Sequence, residues 1–155
     1  MDDNEMKRIT IPTITHPDES DANGFIYSKK VWNDFIDELP DGIKIPLTTR
    51  TNKNWCLTGI PISEIVGYVS DIDDAHITVD FVCYDGIPEN TTKIINTCID
   101  MINNDSVKAY MEYVADIDHK PDMAYQYIHK IRYIMYFYLG YSDPRDQTIR
   151  PLVLN

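Results

Sequence analysis

The sequence predicts an α+β fold: a mostly antiparallel sheet with about two helices packed on one face. Three observations lead there. Short runs with period-two alternation recur along the chain, two segments carry apolar residues at helical spacing, and clusters of Pro, Gly, Asp and Asn separate them. With 155 residues, 43% hydrophobic and 25% charged, the chain holds enough apolar material for one core without staples. A single domain is expected over 1–155, frayed over 1–6, with a tail over 143–155 that reads as a loop or an exchanged arm.

Residues 8–14, RITIPTI, alternate Ile9, Ile11 and Thr13 against Thr10, Pro12 and Ile14; Pro12 lacks the donor a central ladder needs, so this is an edge strand. His16-Pro17 through Asn23-Gly24 is a loop ending in a tight turn. Ser28 then caps a helix reaching about Leu39, with Trp32, Phe35, Ile36 and Leu39 at i, i+3, i+4 and i+7. Its charges oppose the helix dipole. Lys29 and Lys30 stand in the first turn and Asp37 and Glu38 in the last, each costing about 0.3 kcal/mol or more.

Pro40-Asp41-Gly42 is a turn, and residues 43–48, IKIPLT, are a short strand with a second edge-marking proline, Pro46. Residues 49–54, TRTNKN, read as an exposed polar loop carrying Arg50 and Lys53. Residues 65–72 and 76–84 form an antiparallel hairpin around Asp73-Asp74-Ala75, its second strand setting Ile77, Val79, Phe81 and Cys83 against His76, Thr78 and Asp80. Residues 88–103 are a second helix on the stripe Ile95, Cys98, Ile99 and Ile102, with Asn103-Asn104 as a left-handed stop. Residues 107–117 alternate again: Val107, Ala109, Met111, Tyr113, Ala115 and Ile117 on one face, Lys108, Tyr110, Glu112, Val114 and Asp116 on the other. For 123–141, MAYQYIHKIRYIMYFYLGY, two readings stay open. Ile128, Ile131, Met135 and Leu139 lie at helical spacing, while aromatic and β-branched content favours a strand, the assignment taken here.

A formal charge of −11 repels phosphate backbones and anionic lipid, so direct nucleic-acid binding and membrane docking are not expected, whereas basic protein partners are permitted. Cysteines at 56, 83 and 98 have neither the number nor the spacing of a disulfide framework or zinc site; Cys83 and Cys98 read as core, Cys56 as exposed. MDDNEMKRIT has no basic n-region or apolar h-region, and the longest apolar-aromatic run, 133–139, is too short to span a bilayer. The expected location is a host cytoplasm or a virion, without secretion.

Asp71, Asp73 and Asp74 with His76 and Asp80 offer oxygen ligands but lack the acid spacing, glycine and distal glutamate of a calcium loop, so a solvated turn is expected. Asp116, Asp118, His119 and Asp122 read the same way. No G-x-S-x-G, P-loop, dinucleotide or H-E-x-x-H pattern appears, so no catalytic, cofactor-binding or metal residue is assigned. Tyrosine is the unusual component. Of eleven, Tyr125, Tyr127, Tyr133, Tyr136, Tyr138 and Tyr141 crowd near the C-terminus and are the candidate interface residues, because tyrosine joins large contact area to a polar tip; a sheet face capped by these amphipathic side chains is an equal alternative.

Asn23, Gly24, Ile26 and Tyr27, followed by a helix with Val31 and Phe35, then IPL at 45–47 and the strands EIVGYVSDI and HITVDFV, resemble in order the front half of phage head-maturation (prohead) proteases. The family's catalytic histidine and serine are not matched: no histidine lies between His16 and His76, where TRTNKNW stands, and Ser63 or Ser70 near the serine position has no partner. The resemblance implies a phage-encoded relative that keeps the scaffold without the protease. The expected function is therefore a non-enzymatic protein-protein interaction module with a virion structural or capsid-assembly role, in a homo- or hetero-oligomer. Two alternatives stand beside it: an acidic anti-defence inhibitor that mimics nucleic acid or blocks a host protein, and a degenerate prohead-protease-like hydrolase.

Overall fold

The computed structural model describes residues 7–12, 25–52, 54–73, 76–118, 126–141 and 152–154. Among these, one sheet contains β1 Arg8–Pro12, β2 Phe25–Tyr27, β3 Ile45–Thr48, β4 Ile65–Ile72, β5 His76–Phe81, β6 Val107–Asp118, β7 Gln126–Tyr141 and β8 Leu152–Leu154. Helix α1 spans Lys29–Asp37, the single-turn α2 Trp55–Thr58 and α3 Glu89–Asn103, with a 3-10 turn at Ile62–Glu64. Across the sheet the order is β1-β5-β4-β3-β7-β6-β8, and β2 also lies beside β7. The β1/β5, β4/β5, β3/β4 and β6/β7 pairs are antiparallel. The β2/β7, β3/β7 and β6/β8 pairs are parallel. The fold is α+β with a mostly antiparallel sheet.

Local chemistry accounts for the element ends. Ser28 is extended (φ −77°, ψ 161°) and its Oγ accepts the Val31 N–H at 3.1 Å, which starts α1. Trp32 and Phe35 of that helix are buried, and Trp32 lies 5.9 Å from both the Tyr27 and Phe35 rings. Gly42 takes φ +76° in the turn that leads to β3, a conformation that glycine adopts without steric cost. The β4–β5 hairpin is closed by the Asp73 N–H donating to the His76 carbonyl (2.9 Å) and the His76 N–H donating to Asp73 Oδ1 (2.8 Å). Helix α3 buries Ile95, Cys98 and Ile102. Its left-handed stop is one residue later than the sequence reading: Asn104 has φ −89° and Asp105 has φ +60°, a conformation that a short polar side chain tolerates.

Residues 126–141 form one continuous strand, and its periodicity explains why helical spacing also fitted. The β6–β7 register shifts between Glu112 and Tyr113, between Val114 and Ala115, and between Asp116 and Ile117. At each shift β7 carries an extra residue: Met135, Arg132 and His129 in turn. A bulge every third residue makes Ile128, Ile131, Ile134 and Phe137 point into one core with a spacing of three, between the strand period of two and the helical 3.6. Met135, placed by helical spacing on the inward stripe, packs instead with a second cluster on the opposite side.

Two expectations are corrected. Pro46 does not mark an edge, because β3 lies between β4 and β7. The β3/β7 pairing begins at Leu47, so the residue without an N–H stands where that ladder stops. Part of the C-terminal tail is also neither loop nor exchanged arm: Leu152–Leu154 pairs in parallel with 114–116 of β6 in the same chain. The Asn23-Gly24 turn, residues 1–6 and most of the tail lie outside the described residues. Pro12, by contrast, is on an edge strand, since β1 pairs only with β5 among the described strands.

Candidate functional site

The β6–β7 hairpin has a core on each face. Ala109, Tyr113, Ala115, Ile128, Ile131, Ile134 and Phe137 join the main apolar cluster, to which α1 contributes Trp32 and Phe35 and α3 contributes Ile95, Cys98 and Ile102. Tyr110, Tyr136 and Tyr138 project from the other face and cluster with Trp55 of α2, flanked by Ile60 and Met135. Tyr110 stacks on Tyr138 (centroids 5.4 Å, 20°), and Trp55 meets Tyr136 edge-on (5.4 Å, 70°).

Glu112 lies in this aromatic layer and is 5% exposed. Strand alternation placed it with Tyr110 and Val114 on the face opposite Val107 and Ala109, and Trp55 and Ile60 pack on that side. A hydrogen bond links its carboxyl to the Tyr136 hydroxyl, while its Oε2 is buried without a partner. Burial pushes the Glu112 carboxyl above the usual carboxylate range, because a charge there has lost its water. The same burial, with Glu112 beside it, pushes the Tyr136 phenol up to about 12. Tyr136 in turn bonds Thr51 Oγ1 at 2.7 Å and accepts the Asn52 N–H at 3.4 Å. Arg50 lies over the Trp55 ring, 5.1 Å from its centroid, and forms a forked pair with Glu64 (2.7 and 3.2 Å) that holds the Glu64 carboxyl below its usual range. This network pins the segment after β3 to the hairpin.

The pinned segment leads to an apolar surface. On α2, Leu57 is 87% exposed, and Ile62 in the 3-10 turn is 83% exposed. Ile62 and the half-exposed Tyr84 border a groove of about 270 Å³ that is also lined by Ile65, Tyr68, Val82 and Pro88. Scattered exposed apolar residues are ordinary, but Ile62 and Tyr84 stand together on one concavity, a common form of protein-binding surface.

The tyrosines separate into groups. Tyr136 and Tyr138 are buried in the chain's own aromatic layer and offer little surface to a partner, whereas Tyr127 and Tyr133 are 43% and 54% exposed. Tyr125 and the Tyr141 side chain lie outside the described residues. Three acidic groups of the two sequence clusters are used by structure. Asp73 caps its hairpin, Asp80 takes the Arg8 guanidinium at 2.6 Å, and Asp116 takes Arg132 at 2.9 and 3.0 Å. No cluster able to hold a metal occurs among the described residues. Ser70 donates to the Thr78 carbonyl at 3.5 Å, and His76 lies 3.6 Å from Asp73. Cys98 is in the main core, where burial pushes its thiol up, and Cys83 is half-buried beyond the end of β5. The Cys56 side chain, Asp74, Asp122, His16 and His119 fall outside the described residues. No helix of the described residues is long and apolar enough to cross a membrane.

Comparison with protein-family models, with curated proteins and with solved structures gave no match.

Sequence reasoning missed Glu112 as a buried group and Ile62 with Tyr84 as a surface. One signal was available for the first. Glu112 stands between Tyr110 and Val114 on a strand face and opposite a tyrosine-rich strand, which is poor company for a solvated carboxylate.

Proposed function

We propose that this protein is a non-enzymatic protein-protein interaction module that binds another protein subunit through the groove bordered by Ile62 and Tyr84. The observation that carries the reading is the exposure of Leu57 and Ile62 on a segment held by the Arg50–Glu64 and Tyr136–Thr51 contacts. A rigidly presented apolar surface loses little ordering entropy on binding. The resemblance to prohead proteases, of whose distinctive residues Ile26 and Tyr27 stand in β2, supports a phage-encoded protein whose partner is a capsid or assembly subunit. Light scattering at increasing concentration, alone and with candidate subunits, tests this. A mass that rises for the wild type and stays monomeric for Ile62→Asp with Tyr84→Asp is the expected result; a wild type that remains monomeric and retains no partner in pull-downs overturns it.

The net charge of −11 favours a second reading, an acidic inhibitor that occupies the nucleic-acid site of a host protein. That reading requires binding that weakens steeply with salt and is competed by DNA or RNA. Binding indifferent to both sinks it.

A further inference from the structure

The aromatic layer on the β6–β7 hairpin encloses one carboxyl that has no ion-pair partner among the described residues. Glu112 is 5% exposed and stands opposite Tyr136 in the strand register. Tyr136 supplies a hydrogen bond, and Glu112 Oε2 is buried without a partner. On its own strand Lys108, Tyr110 and Asp116 share its alternation, and Asp116 is occupied by Arg132. β7 contributes Tyr136 and Tyr138, whose phenols burial pushes up, away from the carboxylate range. The segment between β3 and β4 contributes Arg50, which is engaged by Glu64 and by the Trp55 ring. What acts on the Glu112 carboxyl is burial, which raises its proton affinity, and the Tyr136 hydroxyl, which offsets part of that rise.

One wall of this layer is built to hold and the other is fastened by side chains. β6 and β7 are joined by a main-chain ladder from Val107–Tyr141 to Asp118–Tyr127, so parting them breaks many bonds at once. The segment between β3 and β4 reaches the layer differently: Trp55 and Ile60 pack there, and Thr51 and Asn52 meet the Tyr136 hydroxyl at 2.7 and 3.4 Å. With a single-turn helix and a 3-10 turn, it has few main-chain bonds of its own to keep it closed. A neutral Glu112 is buried beneath it at the cost of one unmet polar atom. An ionised Glu112 leaves a bare anionic oxygen in an apolar layer, and the entry of water relieves that larger cost.

We propose that Glu112 is a proton-controlled latch on the surface that carries Leu57 and Ile62: the neutral carboxyl lets the segment between β3 and β4 close on the hairpin, and its ionisation opens that segment to water. Low pH closes the latch and rising pH opens it. Tyr136 is the positioning residue, because the one hydroxyl joins Glu112 to Thr51 and Asn52. The inference rests on the docking surface proposed above for what the latch controls, and its test needs no partner.

Amide exchange and side-chain NMR of the full chain, from about pH 4, the ordinary carboxyl range, to about pH 8, provide that test. After correction for the intrinsic pH dependence of exchange, amides of 50–52 and 54–58 are expected to exchange at least about tenfold faster at the upper limit, about 1.4 kcal/mol in the closed–open equilibrium. Those of α3 should not change. The Trp55 indole signal should move over the same range while that of Trp32, in the main core, stays in place. The carboxyl carbon of Glu112, followed in the wild type, should titrate with the same midpoint, a measurement that decides the matter even where a variant does not fold. Glu112→Gln should keep the segment closed at every pH, and Thr51→Val should loosen it at every pH. Exchange of the segment that ignores pH, a transition retained by Glu112→Gln, or a Glu112 midpoint different from that of the segment overturns the latch. A protein that finds no partner at any pH removes the docking surface, whereas a segment indifferent to pH removes the latch, so the two failures are distinct.

Discussion

The two faces of the β6–β7 hairpin come from the same two strands and solve different problems. On one, Ile128, Ile131, Ile134 and Phe137 meet α1 and α3 in a cluster whose residues need only to leave water. On the other, Tyr110, Tyr136, Tyr138 and Glu112 bring hydroxyls and a carboxyl into a buried layer that must also be hydrogen-bonded. The first is stabilised mainly by area and packing, which tolerate changes of pH. The second gains specificity: Tyr136 orders Thr51 and Asn52, and with them the segment that presents Leu57 and Ile62. Each polar group on that face ties stability to protonation and geometry.

The comparison can be broken from either side. Phe137→Ala, at a position with no exposure, removes a ring from the apolar face and should cost about 3–5 kcal/mol, read as a lower midpoint in denaturant unfolding with no change in pH dependence. Gly140→Ala tests the aromatic face. A Cβ at 140 meets Tyr110 Cε2 at 2.6 Å, so the Tyr110–Tyr138 stack must move; a loss of about 1–3 kcal/mol is expected, with a change in the near-ultraviolet signal of the tyrosines.

Tyr136→Phe keeps the ring and removes the hydroxyl shared by Thr51, Asn52 and Glu112. About 1–2 kcal/mol should be lost, and amides of 50–58 should exchange faster while those of α3 do not. Glu112→Gln gives the smallest effect at acid pH and a growing one above it. Because burial raises the folded carboxyl's pKa, the folded state holds its proton to higher pH than the unfolded state. Its stabilising contribution is therefore full below the unfolded carboxyl's range, near pH 4, and falls as pH rises through the higher folded range. Melting temperatures of the wild type should decline over that window more steeply than those of Glu112→Gln; parallel curves would show that Glu112 is not the titrating group.

Much of the fold was legible in the residues. Ser28 with Trp32 and Phe35 announced α1, alternation announced β5 and β6, and the Ile95, Cys98, Ile102 stripe announced α3. Legibility failed where partners were decided at a distance. Pro46 looked like an edge residue because a proline reports only its own missing donor, and its two neighbouring strands come from 65–72 and 126–141. The tyrosine segment looked half helical because bulges are set by the register against β6, which β7 does not carry within itself. The interface assigned to six tyrosines loses Tyr136 and Tyr138 to the chain's own second layer, because a sequence shows which face a residue takes but not what covers that face.

By itself, then, the sequence determined the elements, the inward residues of its regular helices and strands, and a strongly acidic surface, since these follow from local propensity, periodicity and charge. The tertiary structure decided the central position of β3, the repeated bulges of β7 and the burial of Glu112. Each depends on contacts between residues far apart in the chain, where sheet register and the covering of a face are fixed by packing, so no local pattern could have specified them.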